Sequence, residues 1–247
     1  MHSPVEQFTI KTLFALNLLG FDISFTNSSL FMLLAVLLST LFLVLAMRPA
    51  ALVPGRMQGA AEMMYEFVAD MVRANVGSEG RPYFPFVFTL FVFILFSNML
   101  GLIPYSYTTT SQIVVTFVLA AVIFIGVTLI GLIKHGLHFF SFFVPSGAPK
   151  ALIPFLVVIE VISYFVRPVS LSVRLFANML AGHTMLKVFA GLAVMLTGAG
   201  GIFAVGSVLP LAAIIGLTGL EMLVAALQAY VFTILTCMYL NDALHLH

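Results

Sequence analysis

Apolar residues arrive in long unbroken runs in this chain, and polar ones collect in the gaps between them. The first run covers residues 30–47, close to the roughly 20 residues a helix needs to cross a bilayer. Arg48 follows it as a stop-transfer charge. The run begins late for a secretory signal, so it is expected to be an uncleaved first helix. Ahead of it, residues 1–29 mix polar and apolar positions and predict an external N-terminal segment. Residues 83–103 and 113–133 are two further spanning runs, a hairpin joined by an uncharged link. Residues 151–196 and 202–240 flank a Thr197–Gly201 turn. Each is about twice a simple spanning length. Two broken pairs or two long, tilted helices would both fit, and hydropathy leaves the choice open.

Residues 56–78 carry a different pattern. Met57, Ala60, Ala61, Met64, Phe67, Val68, Met71 and Val72 recur at helical spacing, with Glu62, Glu66, Asp70 and Arg73 on the other face. This predicts an amphipathic helix lying on the membrane surface. A soluble helix packed on a partner is the plainer alternative.

Composition agrees with the runs. Hydrophobic residues make up 62% of 247 positions and charged ones 8%, against about 25% charged in a soluble domain. Such a chain cannot cover a water-facing surface, and lipid demands that backbone groups be satisfied internally. The expected fold is therefore an all-α integral membrane protein, a single polytopic membrane domain. It would have one outer spanning helix, an amphipathic surface helix, a helical hairpin and two long helices. The net charge of +1 gives no sign of a nucleic-acid partner. The single Cys237 excludes a disulfide framework and a cysteine metal set. There is no GxxxxGK[ST] loop, so neither a nucleotide site, a cofactor nor a catalytic centre is expected in this chain. Six of the ten Lys and Arg residues lie in Arg48–Arg81 and Lys134–Lys150, and none in the links Pro104–Gln112 and Thr197–Gly201. The positive-inside rule puts the basic loops on the cytoplasmic (or matrix) side. No internal repeat is visible, which counts against a transporter built from paired halves.

Charges inside the apolar runs carry the chemistry, because they are expensive in lipid and usually face a protein interior or water. These are Glu160, Arg167, Arg174, Lys187 and Glu221, with His183 and the amides Asn98, Asn178 and Gln228. Glu160, Arg167 and Arg174 are seven apart and share a face of a continuous helix, with Asn178 one turn further on. His183 falls half a turn round from Arg174, and Glu221 and Gln228 share a face of the last run. Glu and His exchange protons, whereas Arg stays charged and instead attracts or bars a passing carboxylate. Plainer roles remain open for several of them. Arg167 precedes Pro168, where helices often bend or end, and snorkelling or a pair with Glu160 would explain it. Lys187 would snorkel, Asn98 would pack helices, and His183 with Glu221 would form a structural pair.

The stretches RPVSLSVRLFANMLAGH (Arg167–His183) and LTGLEMLVAALQAYVFTILTCMYLNDALHLH (Leu217–His247) resemble subunit a of the F-type, rotary ATP synthases. SFTNSSLFMLL, NMLGLIPYSYTTTSQ and KHGLHFFSFFVPSG are similar to the bacterial and mitochondrial forms, in the same order along nearly the whole chain. The resemblance implies that Arg174 is the essential stator arginine facing the ring of c subunits, flanked by Asn178 and Gln228. It implies that His183 and Glu221 relay protons in the half-channel open to the outside, with the acid and histidine placed as in the mitochondrial form. Glu160 would lie toward the cytoplasmic half-channel. Arg167 matches a position often basic, and Asn98 an amide of the second apolar segment. The implied partners are the c ring, peripheral-stalk b-type subunits, the other ATP synthase subunits, protons and lipid. The implied location is the bacterial inner membrane, or alternatively the mitochondrial one, and the implied fold lays the last two helices in a steep tilt against the ring.

The orientation is testable by thiol labelling. In a Cys237→Ala background, a cysteine replacing Ser78 should react with a membrane-impermeant reagent in inverted vesicles and not in intact cells.

Overall fold

The computed structural model describes residues 9–15, 17–18, 21–22, 24–48, 51–103, 106–144 and 152–245. Lys150 of the second basic loop and Pro104 of the uncharged link lie outside the described residues. The architecture is that of an all-α membrane protein. Among the described residues, five helical segments are long and apolar enough to cross a bilayer: Asn27–Met47, Arg56–Gly101, Ile113–Phe143, Ile153–Ala199 and Phe203–Leu244. They comprise helices α1 (Asn27–Met47), α2 (Arg56–Val76), α3 (Phe84–Gly101), α4 (Ile113–His135), α5 (Ile153–Ala199), the short α6 (Gly201–Gly206) and α7 (Val208–Leu244). Two short antiparallel pairs precede α1: Thr12–Phe14 with Phe25–Thr26, and inside it Asn17–Leu18 with Phe21–Asp22.

Local chemistry sets several of these boundaries. Thr26 caps α1 by accepting from the Ser29 backbone N–H at 3.4 Å. Asn27 ties the strand to the helix: its side chain accepts from the Lys11 N–H at 3.2 Å and donates to the Thr9 carbonyl at 3.2 Å. Helix α2 ends where the Gly77 N–H bonds back to the Arg73 carbonyl. Ala61, Val68, Met71 and Val72 of its apolar face are buried, whereas Met57 and Phe67 stay exposed. The choice that hydropathy left open is resolved by continuity. Helix α5 runs 47 residues and α7 runs 37 without a break.

The described residues group into two compact units. One gathers residues up to Phe42, Val92–Gln112 and Leu175–Ala229; the other gathers Leu43–Phe91, Ile113–Arg174 and the chain from Tyr230 onward. In the first, α1 meets α3 through Phe42 and Phe96, with ring centroids 5.8 Å apart, and meets the α3–α4 link through Phe31 and Tyr107 at 6.3 Å. Leu175, Met179, Ala225 and Ala229 are buried there.

The second unit is built round aromatic rings and charge pairs. Phe139 and Phe143 pack on Tyr164, whose hydroxyl lies 2.7 Å from that of Thr128. Arg167 donates to Asp242 at 2.8 Å, with the two side chains 22% and 34% exposed. Its guanidinium also lies 5.1 Å from the Tyr239 ring centroid, 5.5 Å from Tyr164 and 5.8 Å from Phe142. This corrects the two sequence expectations for Arg167. It does not pair with Glu160, because Asp242 on α7 offers a closer carboxylate. The helix neither ends nor breaks at Pro168, which is buried inside α5. The proline forfeits one backbone bond, and the anchored arginine beside it helps hold the helical course. Lys134 closes the same, C-terminal end of α7. It bonds the Glu79 carboxylate and donates to the Leu244 carbonyl at 3.2 Å, where a cation suits the helix dipole.

Breaking the Arg167–Asp242 pair should destabilise the protein. Asp242→Asn and Arg167→Gln should each cost about 1–3 kcal/mol, and the double variant less than the sum. Thermal unfolding of the purified protein in detergent, run as a double-mutant cycle, measures this.

Candidate functional site

Titratable and amide side chains converge in the first unit. His183 on α5 and Glu221 on α7 face each other, with Nδ1 4.0 Å from Oε2 and both side chains 12% exposed. The other ring nitrogen of His183, Nε2, lies 3.0 Å from the Thr108 hydroxyl in the α3–α4 link. Both carboxyl oxygens of Glu221 are buried, and neither has a hydrogen-bond partner among the described residues. Gly182 makes the space that Glu221 occupies: a Cβ built there would overlap the carboxyl, 3.0 Å from its Cδ.

Amides frame this pair. Asn98 on α3 is fully buried and bonded through both its nitrogen and its oxygen. It donates to the Ala225 carbonyl of α7 at 3.2 Å and accepts from the Thr110 hydroxyl at 2.9 Å. One side chain thus ties α3, α7 and the link together, because a buried amide left unpaired would be costly. Asn178 of α5 donates to Gln228 of α7 at 3.0 Å. Gln228 is buried and Asn178 exposed. The link itself is polar and buried, from Thr108 to Ser111. Burial pushes the Tyr107 phenol above its ordinary value, so it stays protonated at any working pH.

The second unit holds the other three candidates. Arg174 on α5 is exposed and makes no hydrogen bond or ion pair among the described residues. Val169, Ser170 and Val173, its neighbours on α5, are exposed as well. Glu160 is half-buried and likewise makes no hydrogen bond or ion pair among the described residues. Arg167 is held by Asp242 as described. Among the described residues no three His, Cys, Asp or Glu side chains gather closely enough to hold a metal ion.

Three contributors escape a reading of the sequence. Thr108 and Thr110 sit in an uncharged linker and carry no sign of their partners. Asp242 lies just past the end of the last apolar run, 75 residues from Arg167. Gly182 had a weak signal, a small residue next to a histidine on a helix that must pack closely.

A profile of ATP synthase A chain matches residues 29–241. This chain belongs to the ATP synthase A chain family. ATP synthase subunit a of Rhodospirillum rubrum is 59% identical over 247 residues, all of both chains. That of Parvibaculum lavamentivorans is 58% identical over 242 residues, 98% of this chain and 93% of its own. The Chelativorans sp. protein is 57% identical over 242 residues, 98% and 97% of the two chains. His183, Glu221 and Arg174 all lie within the region matched to the A chain family.

The amide at Asn98 should be structural as well as polar. Asn98→Leu leaves the Thr110 hydroxyl and the Ala225 carbonyl without their partner and should cost about 1–3 kcal/mol. Gly182→Ala should instead displace the Glu221 carboxyl while leaving α5 helical. Thermal unfolding separates the first effect, and unchanged helical circular dichroism with impaired proton conduction identifies the second.

Proposed function

We propose that this chain is the proton-channel stator of a rotary ATP synthase, with two offset half-channels that load and unload protons on carboxylates of a c-subunit ring. The observation that carries this reading is Arg174. An arginine inside a long apolar helix is expensive in lipid and faces a partner or a water-filled space. Among the described residues of this chain it makes no ion pair, which fits a partner supplied by another subunit. A carboxylate that moves past it fits, since Arg stays charged throughout.

His183 and Glu221 are the relay groups of the half-channel open to the outside. Both exchange protons, and the bare oxygens of Glu221 leave it available to take or give one. A proton passed on from them neutralises a ring carboxylate, which then turns into lipid at low cost. At Arg174 the positive charge favours the ionised carboxylate, and Glu160 lies on the route by which the released proton leaves for the cytoplasm. Asn178, four residues after Arg174 in the chain, pairs with Gln228. Each proton crossing 100 mV releases about 2.3 kcal/mol, so several must be collected per ATP, and a rotating ring does this. The partners are then the c ring, a b-type peripheral stalk and the remaining ATP synthase subunits. Bacterial relatives favour the plasma membrane as the location.

Membranes bearing the assembled complex with Arg174→Ala should show no ATP-driven acidification, read with a pH-sensitive dye, while subunit composition stays intact. Pumping at the wild-type rate would sink the reading.

A further inference from the structure

The hydroxyl of Thr108 is placed between two groups. It lies 3.4 Å from the Gly101 carbonyl at the end of α3 and 3.0 Å from Nε2 of His183. A carbonyl only accepts, so the hydroxyl donates to Gly101 and turns its lone pairs to the ring. With its proton on the Gly101 carbonyl, which also accepts from the Ser106 hydroxyl at 3.1 Å, the Thr108 hydroxyl leaves the hydrogen of the 3.0 Å contact to Nε2, and the tautomer is assigned on that basis. In the neutral ring this leaves the lone pair on Nδ1, and Nδ1 is the nitrogen 4.0 Å from Glu221 Oε2.

The surroundings restrict Thr108 to this pose. Its side chain is 5% exposed. Ser111 donates to its carbonyl at 2.6 Å, which pins the backbone of the link. Gly101 lets the threonine approach, because a Cβ there would meet Thr108 Cγ2 at 2.7 Å and Oγ1 at 2.9 Å.

We propose that Thr108 is a positioning residue that holds His183 in the Nε2–H tautomer, so that Nδ1 is the atom exchanging a proton with Glu221. The inference rests on the proton-path reading above and names the geometry that path requires. The exchange takes place when the 4.0 Å gap closes to hydrogen-bond distance or is bridged by one water, and in it the O–H bond of protonated Glu221 breaks and an N–H bond forms at Nδ1. The products are a carboxylate and an imidazolium whose Nε2–H still points to Thr108. The reverse step returns the proton to the carboxyl. In the other tautomer Nδ1 already carries hydrogen and cannot accept from the acid.

The test uses the assembled complex in membranes. Passive proton conduction is measured after removal of the catalytic head for Thr108→Val, Thr108→Ser and His183→Ala. Thr108→Val keeps shape and loses the hydroxyl, and conduction should fall about 3–10-fold. Thr108→Ser restores the hydroxyl and should return conduction to near wild type, which a merely space-filling role would not predict. Nitrogen-15 NMR of histidine-labelled complex, with His183 assigned by difference against His183→Ala, should show hydrogen on Nε2 of the neutral ring in wild type. Wild-type hydrogen on Nδ1, or full conduction in Thr108→Val, overturns the proposal. If Thr108→Val fails to assemble, the wild-type NMR result decides alone. Normal conduction in His183→Ala would overturn the proton-path reading itself, whereas loss there with full conduction in Thr108→Val removes only the role of Thr108.

Discussion

A charge inside a bilayer has to be matched, and the matching of charges organises this protein. Arg167 is matched within the chain, by Asp242 and three aromatic rings. Lys134 is matched by Glu79 and the last carbonyls of α7. These pairs hold the second unit together without taking part in exchange. Arg174 and Glu221 are treated differently. The first makes no ion pair among the described residues, and the second is buried with both oxygens bare. A buried carboxyl without a hydrogen bond and an unpaired cation are both costly, and under the proposed function that cost is sustained where a group must meet something that moves.

The neutral polar groups follow the same logic at lower stakes. Asn98 joins two helices and the link through two hydrogen bonds, and Asn178 joins α5 to α7 through Gln228. These amides cannot change charge, so they suit a fixed frame, which is what the proposed proton path would need. His183 lies where frame and exchange meet, one ring nitrogen toward Thr108 and the other toward Glu221.

The membrane fold was legible because one requirement, apolar length against bilayer thickness, shows directly in the chain. The continuity of α5 and α7 was not, since a run of twice the spanning length reads equally as two helices. Pro168 pointed toward a break that tertiary packing overrode. The N-terminal strand pairs were missed because they rest on backbone bonds and on the Asn27 side chain, not on alternation. At the site, residue type marked Arg174, His183 and Glu221 as worth attention, because ionisable groups are rare in such runs. The partners of His183 and Arg167 were hidden. Thr108 looks like an ordinary linker residue, and Asp242 lies beyond the run in which the sequence places charges under suspicion.

The central claim is that the exposed face round Arg174 meets a ring helix. Disulfide cross-linking in assembled membranes tests it most directly, with a cysteine replacing Ser170 in a Cys237→Ala background and a second beside the ring carboxylate. A cross-linked product of this chain with the ring subunit is expected, and it should stall ATP-driven pumping until reduced. No product with any ring cysteine near the carboxylate, in complexes that assemble and pump normally, would contradict it.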